Sequence, residues 1–202
     1  MVKDIAVLDP TFNSGDNYSH VLRQLVERRF SGKLSLQCRT EMVNPEFLDL
    51  VEELNRFGKV ILEFGLQTIH KEEMKIIERP NNLTKIKIIL PEVIRRGIDT
   101  EISLIFGLPK QTVQSFQETI DFCKSYGVSK ICAFPLMLLR GTKLYDRKNE
   151  LDLVESTDIN FLKIPRIQEG IPHVVASPSF TIDEWLKMGE MAEALEEENH
   201  SK

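Results

Sequence analysis

The chain has 202 residues, 42% hydrophobic and 28% charged, the balance of a soluble globular protein of one domain or a small pair. A formal net charge of -5 speaks against a nucleic-acid partner or an anionic-membrane surface, and no apolar run reaches membrane-spanning length. Three scattered cysteines make no disulfide framework and "MVKDIAVLDP" shows no signal peptide, so the cytoplasm is the expected compartment.

In chain order, apolar strand patterns are expected near residues 4–9, 33–39, 59–65, 99–106, 129–138 and 171–176. Helix-period patterns are expected near 17–30, 45–56, 70–79, 84–96, 112–126 and 181–197. Gly32, Gly58, Gly97 and Gly127 each fall where a helix should stop before the next strand. "NPEFLDLVEEL" offers Asn44 as N-cap and Pro45 at the first helical position. Such alternation predicts parallel strands joined by right-handed helical crossovers, in a barrel or an open sheet. The abrupt entry into a strand near residue 4 also matches a chain cut at a domain edge. Residues 1–178 are assigned to the α/β domain and 179–202 to a C-terminal helix and tail.

Side-chain parity decides between barrel and open sheet. In "KLSLQCR" Leu34, Leu36 and Cys38 share one face, and Ser35, Gln37 and Arg39 the other. Val60, Leu62 and Phe64 likewise oppose Glu63, Gly65 and Gln67, and Ile102, Leu104 and Phe106 oppose Glu101, Ser103 and Gly107. Strands covered on both sides read apolar on both faces, so a polar second face predicts the lining of a hydrated hollow. With five or six strands the expected fold is a partial, TIM-barrel-like (β/α) barrel. Arg39, Glu63 and Glu101 should then pair with one another, with water or with a ligand.

The β-run "EISLIF" stops at Gly107-Leu108-Pro109, and Thr112 is the expected N-cap of the helix that follows. Its neighbours end as unusually, in "LDPTFN" and "EFGLQT". Together with "IIERPNN", "LIFGLPKQTVQSFQETIDF" and "FPLMLLRGTKLYD", in this order over roughly residues 5 to 190, these stretches resemble the radical S-adenosylmethionine (radical SAM) family. The likeness is to members akin to oxygen-independent coproporphyrinogen dehydrogenase and to cobalamin-binding radical enzymes. It implies S-adenosylmethionine and a four-iron, four-sulfur (4Fe-4S) cluster as cofactors of the full-length protein, with cobalamin as a further one. A cofactor across the barrel mouth would then explain the stop at Gly107.

By this resemblance Gln67 and Arg79 match positions that hold the sulfonium cofactor, and Gln37 lies on a strand whose end reaches the same ligand. Arg39, Glu63 and Ser103 join the expected cofactor-binding set, Ser103 standing where several relatives have aspartate. Thr11, Phe12 and Asn13 are expected at the rim. Arg79 reads equally as a helix-end cation beside Pro80. The family's CxxxCxxC cluster loop does not occur in the sequence, and Cys38, Cys123 and Cys132 read as small core residues. The chain is therefore expected to be the later part of a radical barrel, without its first strands, and inactive alone.

Two other readings stay open. One is a cluster-less, non-catalytic domain that binds a ligand or a partner. The other is an unrelated barrel aldolase or lyase, for which Lys110 would be the nucleophile. His20, His70, His173 and His200 have no metal-ligand spacing, and Trp185 is expected to pack against the barrel side.

Overall fold

Apolar alternation becomes five parallel strands of one sheet in the computed structural model, which describes residues 3–158 and 168–200. The strands are β1 (Asp4–Val7), β2 (Lys33–Cys38), β3 (Lys59–Gln67), β4 (Asp99–Phe106) and β5 (Lys130–Pro135). Their order in the sheet is their order in the chain. Between them run α1 (Asn17–Glu27), a 3₁₀ turn (Thr40–Met42), α2 (Pro45–Leu54), α3 (Lys71–Ile76), α4 (Leu83–Arg95) and α5 (Val113–Ser125). The chain continues through α6 (Lys143–Asp146), β6 (Val154–Ser156) and β7 (His173–Ala176) to α7 (Ile182–His200). The assigned range 1–178 takes in residues 159–167, which lie outside the described residues, as do 201–202 of the tail. Among the described residues no helix is long and apolar enough to cross a membrane.

Strand order matters for function. A doubly wound sheet reverses its order at a switch point and so covers both faces with helices. Here the order runs one way, and right-handed crossovers then place every connecting helix on the same face. Burial follows. Leu34, Leu36, Cys38, Val60, Leu62, Phe64, Ile102, Leu104 and Phe106 are all buried, whereas Ser35, Gln37, Glu63, Gly65, Glu101 and Ser103 are half-buried. This is the α/β, TIM-barrel-like architecture that parity predicts.

The chain divides into two compact units. The first comprises Met1–Gly65, Asn82–Ile102 and Lys124–Lys130; the second comprises Leu66–Asn81, Ser103–Cys123 and Ile131–Lys202. In the first, β1 and β2 pair in register from Asp4 beside Lys33 to Val7 beside Leu36. Asn44 caps α2, its side chain accepting from Phe47 N–H at 2.9 Å. Arg96 after α4 bridges to Asp49 of α2 at 2.6 Å and to Glu92 of its own helix at 2.7 Å. In the second, Phe106 packs at 5.9 Å from Phe116 and 5.7 Å from Trp185 between ring centroids. Trp185 is fully buried, as expected.

Some elements differ from expectation. β5 ends at Pro135, which has no N–H for the ladder; beyond it Leu136 N–H donates to Phe106 O at 2.9 Å, and Met137 forms an isolated antiparallel bridge with His173. The segment near 171–176 forms β7, which pairs antiparallel with β6 and adds no sixth parallel strand. β6 is only three residues long and escapes a periodicity search. The stop glycines also divide by cause. Gly97 and Gly127 have φ of 68° and 70°, the left-handed helix stop. Gly32 and Gly58 are required by close backbone: a Cβ on Gly32 would lie 1.9 Å from Lys3 O, and one on Gly58 2.5 Å from Gly32 O.

Gly32→Ala should lower stability by about 1–3 kcal/mol, the usual penalty of forced overpacking, read as a lower urea midpoint; an unchanged midpoint contradicts the close approach. His173 is fully buried, and burial, outweighing an opposing contact with the Ile171 backbone, pushes its imidazole below its usual 6.5. The unfolded chain then binds the proton that the folded state refuses, so stability should fall as pH drops below about 6.5. His173→Phe should remove that component, and thermal melts of both proteins at pH 7 and pH 5 test it.

Candidate functional site

Each unit supplies its own share of the expected site. In the first, Phe12 is buried and its N–H donates to Gln37 O at 2.9 Å, tying the segment after β1 to the end of β2. Asn13, also buried, brackets one residue: its Oδ1 accepts from Arg39 N–H at 2.9 Å and its Nδ2 donates to Arg39 O at 2.9 Å. The Asn13 carboxamide is thereby committed to backbone. Thr11 N–H donates to Asp9 Oδ1 at 2.9 Å, an Asx turn that shapes the same segment. β2 ends at Cys38, so Arg39 stands just past the strand.

The side chains of Gln37, Arg39 and Glu63 are half-buried and make no hydrogen bond or ion pair among the described residues. Of the partners expected for them, this leaves water or a ligand for Arg39 and Glu63. Glu101 instead meets Lys130, with Nζ 2.9 Å from Oε2.

In the second unit the focus is the end of β3. Gln67 has φ of +66° and is 8% exposed. Thr68 N–H donates to Leu66 O at 2.8 Å across it, which makes residues 66–68 a γ-turn of the rare, strained, positive-φ form. Asn81 Nδ2 holds that turn from outside, donating to Leu66 O at 2.6 Å and Thr68 O at 3.0 Å. The backbone of Gln67 is thus pinned on both sides, while its carboxamide has no partner among the described residues. The residue is largely buried, yet its carboxamide still reaches solvent, and the strained backbone fixes its direction.

Beside this turn lies a network that the sequence did not disclose. Glu73 is 2% exposed, and its carboxylate accepts from Thr68 Oγ1 at 2.5 Å and Ser115 Oγ at 2.7 Å. His70 Nε2 lies 2.9 Å from Ser115 O and 3.5 Å from Glu118 Oε2. Thr112 caps α5 as expected: its Oγ1 accepts from Ser115 N–H at 3.1 Å, and Ser115 Oγ accepts from Thr112 N–H at 2.9 Å. Glu73 therefore joins the segment after β3 to the start of α5. Ser103 is half-buried with no partner among the described residues, and Arg79 is half-buried in the turn after α3, its N–H donating to Met74 O at 3.0 Å. Asn81 and Glu73 could have been sought as polar residues in otherwise helical or turn text. Nothing in their spacing, however, announces partners so far along the chain.

Gly107 has φ of +82°, and a Cβ there would lie 3.1 Å from both Trp185 Nε1 and Val174 O. What crowds this strand end is packing within the protein, which corrects the expectation that a cofactor alone accounts for the glycine. Lys110 is exposed, unlike a desolvated Schiff-base lysine. The three cysteines are buried and free. Burial pushes the Cys123 thiol up to about 12 and raises that of Cys38 as well, so in the absence of a metal both stay protonated. Among the described residues no group of three or more His, Cys, Asp or Glu could hold a metal ion.

Residues 1–123 match the family model described as Radical SAM superfamily. Among curated relatives, YtqA of Bacillus subtilis is 22% identical over 178 residues, covering 81% of this chain and 55% of its own length. The oxygen-independent coproporphyrinogen III oxidase of Escherichia coli is 25% identical over 160 residues, 73% of this chain and 35% of the relative. Among solved structures, the radical S-adenosylmethionine methyltransferase TsrM of Kitasatospora setae superposes with TM-score 0.62 at 18% identity, over 76% of this chain and 31% of TsrM. A second TsrM structure, with cobalamin and a [4Fe-4S] cluster bound, gives 0.56 at 19% identity, over 66% of this chain and 28% of TsrM. The chain thus spans about a third to just over half of these curated relatives, and at such identities the superpositions speak for the fold alone.

Asn81→Ala should remove both hydrogen bonds to the turn, leaving Thr68 N–H as the donor to Leu66 O and taking the Asn81 donor from Thr68 O. The expected loss is about 1–3 kcal/mol in urea unfolding. Wild-type stability in this variant would show that the turn does not depend on Asn81.

Proposed function

The chain belongs to the Radical SAM superfamily, and we propose that it is part of an enzyme that cleaves S-adenosylmethionine to start radical chemistry on a substrate. Membership supports SAM-cleaving radical chemistry in general terms. The observation that carries the reading to particular residues is Gln67, buried, left-handed and without a partner for its carboxamide among the described residues.

An amide both donates and accepts, which suits a zwitterionic amino-acid head group, and a guanidinium such as that of Arg79 suits its carboxylate. Ser103 adds a hydroxyl on the polar parity of β4. Gln37, Arg39 and Glu63 keep the cofactor-binding role assigned to them, and Thr11, Phe12 and Asn13 that of rim, Asn13 by ordering backbone. When bound, the cofactor would supply the carbon–sulfur bond whose cleavage yields the radical. This chain's residues would orient it and keep water away.

The residues present do not fit a cluster. The proposal therefore places its ligands in sequence outside these 202 residues, and no step performed by this chain's residues passes through it. Cobalamin rests on the likeness to TsrM alone. With no group of residues fit to hold a metal among those described, a second reading stands beside it, a cluster-less domain that binds ligand without catalysis. Neither reading names a substrate, because one fold serves many.

Calorimetric titration of S-adenosylmethionine into the chain, or into the full-length protein that contains it, tests the assignment. Gln67→Ala should weaken binding about tenfold or more. Equal affinity would remove Gln67 from the site.

A further inference from the structure

We propose that a cavity of about 270 Å³ in the second unit, bordered by Lys110 and Asp152, binds a small zwitterion of the α-amino-acid class. The ligand's carboxylate meets Lys110 and its ammonium meets Asp152. This site is separate from the assignment of Gln67 and does not depend on it.

The first ground is turn chemistry. Gln111 N–H donates to Leu108 O at 3.0 Å, Pro109 holds the second position of the turn, and Lys110 in the third has φ of +72°. That is a type II turn, whose third position calls for glycine or asparagine. A long side chain there is unfavourable, and nothing in the loop compels a lysine. The loop is held elsewhere by Gln111, which is fully buried: its Oε1 accepts from Leu108 N–H at 3.1 Å and its Nε2 donates to Ile105 O at 3.0 Å. Local rules broken without a structural return mark function.

The second ground is charge. Lys110, Glu150 and Asp152 border the same cavity; Glu150 is held by Arg147 at 2.9 Å, whereas Lys110 and Asp152, both exposed and of opposite charge, make no ion pair or side-chain hydrogen bond among the described residues. Opposite charges facing one small space and not closing on each other suit a ligand that carries both signs. Ile76 and Leu151 add apolar wall for a side chain, and the Ser177 and Ser179 hydroxyls, 2.9 Å apart, add polar contacts. The volume lies just below the range of about 300–1,000 Å³ of drug-sized sites, so the occupant is small.

Calorimetry at low salt with L-leucine, L-methionine and L-phenylalanine decides. At least one should bind saturably, with Kd near about 1 mM or tighter. For leucine, 4-methylpentanoate and 3-methylbutylamine each lack one charge and should bind about tenfold more weakly. Lys110→Gly, which relieves the turn, should raise Tm and lose about tenfold in affinity, and Asp152→Asn, which keeps its shape, should lose as much. No saturable binding by any of the three amino acids overturns the proposal. So does a one-charge analogue that matches leucine, or affinity unchanged in both variants.

Discussion

At the end of β3 a hydrogen bond closes over a single residue, from Thr68 N–H to Leu66 O, and the second unit's polar architecture is arranged around it. A non-glycine residue held at positive φ costs on the order of 1–3 kcal/mol and persists only when its surroundings determine it completely. Those surroundings are visible. Asn81 grips the carbonyls on either side, and Thr68 is anchored to a buried Glu73, which Ser115 satisfies in turn. All this fixes the direction of one carboxamide, that of Gln67.

The sheet makes such an investment intelligible. Strands that follow one another in a single direction receive all their crossover helices on one face. Their other face is free of that cover and carries Ser35, Gln37, Glu63, Glu101 and Ser103. A polar strand face under helices would need a partner for every group. On the open face, groups such as Gln37 and Glu63 remain available to water or to a ligand.

Cysteine burial bears on how the family's chemistry could be distributed. Cys38, Cys123 and Cys132 are buried and free, small residues of the core, and none joins a group that could hold a metal ion among the described residues. This chain supplies scaffold and candidate ligand contacts. Within the same unit as Gln67, the loop at Lys110 departs from turn chemistry in its own way, since its charged residue takes a glycine's place.

Much of the fold was legible because it rests on local and periodic physics. Apolar runs located five parallel strands, and alternation with period two gave the buried faces of β2, β3 and β4. Asn44 and Thr112 announced their helices through hydrogen bonds that span three residues. Gln67 was singled out by likeness, whereas its left-handed backbone and the turn around it came only with the structure. What sequence could not reveal are the partnerships between distant residues: Asn13 with Arg39, Asn81 with Leu66, Glu73 with Ser115, and Trp185 over Gly107. It also missed the antiparallel turn of β7 onto β6 and the close backbone at Gly32. The reason is physical. Propensity and capping act within a few residues of the chain, whereas a side chain's hydrogen-bond partner is selected by what packing brings within about 3 Å of it, and packing exists only once the chain has folded.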